Sequence, residues 1–219
     1  MKVKLSAILV LSISLFSGCI HLTNKDSVKG SGKITSQKRT LAPFDSVETE
    51  GIYSLTFVCQ DDEDVEITGD DNILPLIITE VKNRTLRIKQ EKDISPTQTL
   101  KVKIANPELQ KIRLEGAGKA DITNLQNENF NIEVEGASSI KASGQTKTLN
   151  INVEGAATVD VKDLRSEKAF VKSEGAGNID LFASELLDIN MEGVGKINYY
   201  GNPKTVNKKI SGVGTVNKQ

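Results

Sequence analysis

The amino-acid sequence predicts an all-β fold of stacked repeats, a parallel β-helix with about 19 residues per turn. A Gly-centred tripeptide returns six times in the second half of the chain, most often as Glu-Gly-Ala. Aliphatic and polar residues alternate on both sides of each glycine, which is typical of strands with one buried face. No apolar stripe of helical period accompanies them, so helical repeats are not expected. The repeated glycines are Gly116, Gly136, Gly155, Gly175, Gly193 and Gly212, at intervals of 20, 19, 20, 18 and 19 residues.

Each repeat is predicted to contain a strand, a turn at the glycine, a second strand and a variable segment. In the second repeat, Ile132 and Val134 precede Gly136 with the two-residue spacing of a strand. Glycine tolerates the positive φ or the sharp bend that such a turn requires. The variable segments, such as residues 123–129 and 162–167, absorb the length differences and are predicted to be loops.

A single repeat cannot fold alone, because ordering its residues costs more free energy than its few buried aliphatic side chains return. Each strand is therefore expected to pair in parallel with the same strand of the next turn, about 4.8 Å away. A left-handed β-helix usually carries a six-residue rhythm, whereas these intervals drift between 18 and 20 residues. The drift favours a right-handed helix with irregular loops.

Residues 30–105 are predicted to form a less regular N-terminal β section at the start of the solenoid, and residues 106–219 to form its regular repeats. The segment 44–55 alternates around a glycine as the later repeats do, and we expect it to begin the stack. Acidic runs at residues 61–64 and 70–72 offer oxygen ligands for Ca²⁺, but neither has the spacing of an EF-hand. Solvated turns explain these runs better.

The N-terminus has the pattern of a bacterial export signal. Lys2 and Lys4 precede a short apolar run that ends in Ser-Gly before Cys19. The run is too short to cross a bilayer, which needs about 20 residues. Its end resembles a lipobox, whose cysteine receives diacylglyceryl and an N-terminal acyl chain such as palmitate. We therefore expect residues 1–18 to be a signal peptide, Cys19 to be lipidated and residues 19–29 to form a tether.

This anchor predicts a cell-envelope lipoprotein that is attached to the membrane through Cys19, with its folded body outside the bilayer. Ile20 follows the cysteine in place of Asp, which under the sorting rule of enteric bacteria indicates the outer membrane. The pattern leaves open whether the periplasmic or the surface side displays the body. An ordinary cleaved signal with an incidental cysteine is the alternative interpretation.

Charge and cysteine content exclude several functional classes. Removal of the signal peptide leaves 26 of the 28 basic residues and all 29 acidic ones, a net charge of −3, which does not suit a nucleic-acid-binding surface. Acylation of Cys19 would leave Cys59 without a disulfide partner, and the single histidine, His21, lies in the predicted tether. No Cys–His or Ser–His pair is expected. The chain is therefore predicted to be no enzyme and to hold no cofactor or metal.

Three stretches of the chain resemble a known family. They are residues 44–51, the Gly-Asp-Asp-Asn-Ile-Leu-Pro segment at residues 69–75, and the recurrent Glu-Gly-Ala-Gly-x-Ile/Ala-Asp/Asn blocks. Together they are similar to bacterial auto-transporter adhesins with a head GIN domain, over roughly residues 40–215. The resemblance implies a right-handed, pectin-lyase-like β-helix, often on an exported lipoprotein, and an adhesion role without assigned catalytic residues.

Glutamates precede most of the repeated glycines and would line up along one edge of the stack. Like charges about 5 Å apart in water repel by less than ~1 kcal/mol per pair, so a solvated ladder is tolerable. The alternative is a strip that binds a cation or a basic ligand, which would offset the repulsion. The strip would consist of Glu115, Glu135, Glu154, Glu174 and Glu192.

We expect a non-enzymatic lipoprotein that presents a rigid β-helix for adhesion or for binding an unknown protein or glycan partner. The first alternative is a polysaccharide-acting β-helix enzyme, which would need aromatic platforms for sugar rings and either a carboxylate pair or a Ca²⁺ cluster with a basic residue. The chain has no Trp, and Tyr199 and Tyr200 form its only polar-aromatic cluster. The second alternative is self-assembly into a weak homo-oligomer through the last repeat, whose edge would expose backbone donors and acceptors.

Overall fold

A computed structural model describes residues 27–219, and most of this part of the chain is β-strand. The prediction of an all-β fold is confirmed. Within these residues the one helical element is a short 3-10 helix, Leu74–Leu76. The strands are β1 (Val28–Lys29), β2 (Ile34–Lys38), β3 (Ser46–Cys59), β4 (Asp64–Asp70), β5 (Ile77–Lys82), β6 (Thr85–Gln90), β7 (Ile94–Ser95), β8 (Leu100–Asn106), β9 (Lys111–Phe182), β10 (Leu186–Tyr200) and β11 (Thr205–Lys218).

Successive glycine repeats pair in parallel and in register. β10 pairs with the end of β9 on one side and with β11 on the other, so that Gly193 lies opposite both Gly175 and Gly212. β9 passes through four repeats, and each of its later repeat glycines approaches the backbone of the glycine one repeat earlier. β3 joins the same stack, with Gly51 opposite Gly116. Gly51, from the segment that was expected to begin the stack, thus adds a seventh stacked glycine to the six of the tripeptide repeats.

The alternating aliphatic residues face the interior, as their spacing predicts. Around Gly136, for example, Ile132 and Val134 are each 1% exposed, whereas the glutamate between them is partly exposed. Burying one such side chain contributes roughly 1.5–3 kcal/mol. The register places equivalent side chains above one another, so that the core runs along the stack in columns. One column holds the residues four positions before the first six stacked glycines, namely Val47, Ile112, Ile132, Ile151, Val171 and Ile189.

The variable segments are not loops, which corrects the expectation from the sequence. Residues 123–129 and 162–167 both belong to the continuous strand β9. Each contributes one leucine, Leu125 or Leu164, that is 0% exposed. The chain turns at Asn124, which has a φ of 61°. Because each leucine enters the core, the backbone around it is held against the neighbouring repeats.

The N-terminal section covers one end of the stack with mixed pairings. β6 and β8 pair in parallel with the two halves of β3, on the side away from β9. β4 pairs antiparallel with both β8 and β2, and β5 pairs antiparallel with β6. The predicted tether, residues 19–29, extends two residues too far toward the C-terminus, because Val28–Lys29 forms β1 and pairs with β7. The predicted signal peptide, Cys19 and His21 lie outside the described residues.

The acidic pair at the end of β4 holds the N-terminal segment in place. The carboxylate of Asp70 is fully buried and accepts hydrogen bonds from the backbone N–H of Gly32 at 2.7 Å and of Thr97 at 2.9 Å. It also accepts one from the Thr97 hydroxyl at 2.7 Å, and Ser31 Oγ donates to Asp71 Oδ1 at 2.6 Å. Hydrogen-bond donors therefore occupy these carboxylates, and the expectation of a solvated turn at residues 70–72 is wrong for Asp70, which is buried.

Acid is expected to release this N-terminal segment. Burial opposes the charge of Asp70, but hydrogen bonds from Thr97 and Gly32 outweigh it and lower the pKa below its ordinary value of 3.8. The hydrogen bond from Ser31 is the main cause that lowers the pKa of Asp71. A carboxyl group with a lowered folded-state pKa stabilises the fold above its unfolded pKa, and this contribution is lost as pH falls through the folded-state value. The Gly32 and Thr97 amides should therefore lose hydrogen-exchange protection when the pH is lowered below 3.8.

The control for this prediction is Asp70→Asn, which keeps the shape of the side chain but carries no charge. Its Gly32 and Thr97 amides should already be poorly protected at about pH 6, and the remaining protection should change little on acidification. Equal protection of the wild-type amides above and below the titration would contradict the assigned role of Asp70.

Candidate binding face

The stacked glycines carry a column of glutamates along one edge of the repeats. Register places Glu192 opposite Glu174, and Glu115 opposite Glu50. Sequence reasoning missed Glu50, although the Glu50-Gly51 dipeptide in β3 was a sufficient signal. The column therefore starts one repeat earlier than predicted. Its members are Glu50, Glu115, Glu135, Glu154, Glu174 and Glu192, each directly before a stacked glycine.

Cationic side chains accompany part of this column. Arg113 lies with Nε 2.5 Å from Glu115 Oε1, Nη2 2.8 Å from Glu135 Oε1 and Nη1 3.3 Å from Glu133 Oε2. Burial opposes its charge, but the hydrogen bond to Glu115 and the nearby carboxylates prevail and raise its pKa. Partly exposed pairs of this kind contribute about 0–1 kcal/mol each. The guanidinium thus joins two repeats through their glutamates with only a modest effect on stability.

Amide and ammonium groups accompany the glutamates further along the stack. Lys172 Nζ lies 2.5 Å from Glu174 Oε1. Asn152 Nδ2 donates to Glu154 Oε1 at 3.3 Å. Asn190 Nδ2 makes the same contact with Glu192 Oε1, also at 3.3 Å. Each donor stands two residues before its glutamate. Lys172 offsets part of the repulsion between the glutamates, and the two amides donate hydrogen bonds to their carboxylates. Within residues 27–219 no three acidic, histidine or cysteine side chains are grouped as metal ligands would be.

An apolar column lies beside the glutamates, at the residue that follows each glycine. Ile52 is 61% exposed, Val194 59% and Val213 76%. A shallow groove of about 590 Å³ runs along this side of the stack and includes alanines from the middle repeats in its walls. We call the two columns together the corner face. Its apolar members are Ile52, Ala117, Ala137, Ala156, Ala176, Val194 and Val213.

The sequence profile of the family described as putative auto-transporter adhesin, head GIN domain, matches residues 43–203. The chain belongs to this family. The resemblance seen in the sequence is thereby confirmed. Membership of this adhesin family supports a cell-envelope location and an adhesin-like role for this GIN-domain chain.

Solved structures agree with the family assignment. A putative adhesin from Bacteroides fragilis NCTC 9343 is similar over 88% of this chain and 100% of its own, with 25% identity and a TM-score of 0.69. A putative lipid binding protein from Parabacteroides distasonis ATCC 8503 is similar over 89% of this chain and 100% of its own, with 21% identity and a TM-score of 0.56. The second likeness extends to the fold alone. No curated protein matches the GIN-domain chain.

The cysteine and tyrosine side chains that could suggest catalysis in the GIN-domain chain are partly or fully buried. Cys59 is half-buried, and burial raises the pKa of its thiol to about 11. Tyr199 is only 7% exposed and faces the core, so it cannot serve as a platform for a sugar ring. Tyr200 is half-buried. Among the described residues no helix has the length and apolarity to cross a membrane.

The raised pKa predicts slow alkylation of Cys59 in the folded protein. Protein that lacks residues 1–19 carries this cysteine as its single thiol, so iodoacetamide labelling reports on it directly. At about pH 8 the folded thiol should react at least about tenfold more slowly than the urea-unfolded thiol, because the thiolate is the reactive form. Equal rates in the two states would show that the thiol has the acidity of an exposed cysteine.

Proposed function

We propose that this chain is a non-enzymatic lipoprotein of the bacterial outer membrane, that its repeats form a right-handed parallel β-helix, and that its corner face binds a protein partner. The register of the repeats is the observation that carries the proposal, because it converts one tripeptide into continuous columns of side chains. Parallel strands joined by a crossover are right-handed in about 98% of cases, which favours that hand here.

The chemistry of the corner face favours a protein with basic and small apolar groups. Glutamates repeat about every 4.8 Å along the stack, so a partner with regularly spaced lysines or arginines can contact several at once. The apolar column beside them supplies surface to bury. Arg113 and Lys172 already contact glutamates of the column, which favours a protein ligand over a linear cation site. A glycan ligand could not stack on the ring of Tyr199, because this side chain is buried and faces the core.

Bead adhesion tests the binding role. Beads that carry residues 20–219 should attach to one or more immobilised matrix proteins or to mucin. The triple variant Glu135→Lys, Glu154→Lys and Glu174→Lys should reduce this attachment about tenfold. A matched variant away from the corner face, with Glu63→Lys, Glu91→Lys and Asp93→Lys, makes the same charge change and should attach like the wild type.

Equal loss in both triple variants would indicate nonspecific charge attraction and reject the corner face as the binding surface. The competing enzymatic role is tested with the same protein on acidic and neutral glycans. Release of reducing sugar that the wild type produces and the heat-denatured protein does not would reject the non-enzymatic assignment.

The lipid anchor is tested at Cys19. Wild-type protein should incorporate labelled palmitate and sediment with the outer membrane, because several acyl chains on one residue give a stable anchor. Cys19→Ala should incorporate none and appear in the soluble fraction. Protease treatment of intact cells then distinguishes surface display from periplasmic display, since only a surface-displayed body is digested.

A further inference from the structure

The outer edge of β11 has no paired strand within the part of the chain that the structure describes. Among residues 27–219, β11 pairs only with β10, along the 14 residues Thr205–Lys218. The other end of the stack differs, because β6 and β8 cover β3 there. The outer edge of β11 therefore offers backbone N–H and C=O groups at the spacing of a strand. An edge of this kind can take up an extended peptide through main-chain hydrogen bonds.

Two inward positions of β11 hold lysine where earlier repeats hold buried apolar side chains. Lys208 lies opposite Ile189, and Lys218 lies opposite Tyr199. Lys208 Nζ stands 5.1 Å from the centre of the Tyr199 ring, so the side chain covers the end of the core. The two lysines thus place positive charge at the open end of the apolar interior, where the terminal unit of a stack needs polar groups.

Aliphatic residues flank Lys208 on the same inward face. Val206 and Ile210 stand two residues before and after it, and the period of a strand places all three on one side. Ile210 is 41% exposed, whereas its counterpart Met191 in the preceding repeat is 2% exposed. The edge therefore presents an apolar, basic, apolar sequence that another strand could cover.

The charge of this end is unlike that of the rest of the protein. Residues 193–219 carry five lysines and no acidic residue, whereas residues 27–192 carry 20 basic and 28 acidic side chains. Lys204 lies 3.4 Å from Glu185. Among the described residues no ion pair involves Lys208 or Lys209. Lys208 Nζ lies near the Tyr199 ring but contacts no carboxylate, so its positive charge is not neutralised within the described residues.

We propose that the edge of β11 binds an extended acidic segment of another protein by strand addition. The segment places an acidic side chain against Lys208 and aliphatic side chains against Val206 and Ile210, so it has the pattern aliphatic-x-acidic-x-aliphatic. Main-chain hydrogen bonds along β11 supply the pairing, and the lysine selects the charge. This site is separate from the corner face, so neither proposal depends on the other.

Other occupants of the edge are disfavoured by the same lysines. A second copy paired edge to edge would bring its own Lys208 and Lys209 close to those of the first, and lysines on an edge strand oppose such self-pairing. An anionic lipid could approach the lysines but has no backbone to pair with β11. The expected ligand is therefore a peptide, and its backbone and its charge are both required.

Fluorescence anisotropy with labelled heptapeptides tests the proposal on the full chain in detergent micelles. The probe is Thr-Val-Thr-Glu-Thr-Ile-Thr, which should bind saturably and more weakly as salt rises. Peptides with Gln or Lys in place of Glu should bind at least about tenfold more weakly. A Glu peptide that is N-methylated at every backbone amide should not bind, because neither of its edges can donate main-chain hydrogen bonds to β11 and the methyl groups obstruct pairing.

Charge reversal on the protein provides the second arm. Lys208→Glu should weaken binding of the Glu peptide about tenfold and strengthen binding of the Lys peptide. Lys92→Glu and Lys101→Glu, both exposed and distant in the strand order, should change neither affinity. Stronger binding of the Lys peptide by Lys208→Glu distinguishes charge recognition from a folding defect, because a misfolded variant would not bind any peptide more tightly.

Three outcomes would overturn the proposal. One is the absence of saturable binding by the Glu peptide. Another is equal binding of the N-methylated peptide, which would indicate a charge contact without strand pairing. The third is concentration-dependent dimerisation of the wild type that the Glu peptide does not reverse, measured by sedimentation, which would assign the edge to a second copy.

Discussion

Replacement of Gly155 by alanine is expected to destabilise the fold by about 2–6 kcal/mol. Two causes add at this position. Gly155 has a φ of 126°, which an L side chain rarely adopts, and a Cβ built there would overlap the carbonyl oxygen of Gly136 in the preceding repeat. Relief of the overlap requires the two repeats to separate and their hydrogen bonds to lengthen. Chemical denaturation of purified protein measures the change in the free energy of unfolding.

Two other glycines separate these causes. Gly32 has a φ of 81° with nothing within 4 Å of an added Cβ, so Gly32→Ala tests backbone strain alone. Gly177 has no positive φ, but its added Cβ would lie 2.8 Å from the carbonyl oxygen of Ala157, so Gly177→Ala tests crowding alone. Each should cost about 1–3 kcal/mol, less than Gly155→Ala. A harmless Gly155→Ala would mean that the repeats are not stacked glycine on glycine.

Truncation of Leu164 to alanine is expected to cost about 2–5 kcal/mol, the usual range for a fully buried leucine. Leu164 is 0% exposed and lies in a segment whose other residues are mostly polar. The variant therefore tests whether the variable segment at residues 162–167 contributes to the core. The change in free energy of unfolding and the protection of nearby amides are the two measurements.

The matched control is Val194→Ala, since Val194 is an aliphatic residue of the same stack that is 59% exposed. Its truncation should change stability by no more than about 0.5 kcal/mol. A similar small effect for Leu164→Ala would show that residues 162–167 form a loop outside the core, as the sequence alone suggested.

The features of the fold that depend on local sequence pattern were predictable. Alternation around Gly136 specifies which face of each strand is buried, and the interval between glycines specifies which residues meet in neighbouring repeats. The variable segments were misjudged because a single leucine among polar residues carries no periodic signal. Leu125 and Leu164 are recognisable as core residues only once their repeats are placed side by side.

The candidate site was predictable in part. The glutamate column follows from the interval between the repeats, whereas its compensation by Arg113 depends on contacts with residues two and 22 positions away. Such contacts need the register and the side-chain directions together. The role of Asp70 was hidden for the same reason, since its partners Gly32 and Thr97 are 38 and 27 residues distant.

Residue pattern sufficed for the all-β class, the repeat and its buried face, because strand alternation and the need for glycine at a crowded turn are local properties. Long-range contacts were required to show which end of the stack is covered, which charges are already paired and where Lys208 lies. A charged side chain has the same local signature at a solvated surface and at the end of a core. Its neighbours across the sheet distinguish the two, and folding alone brings them together.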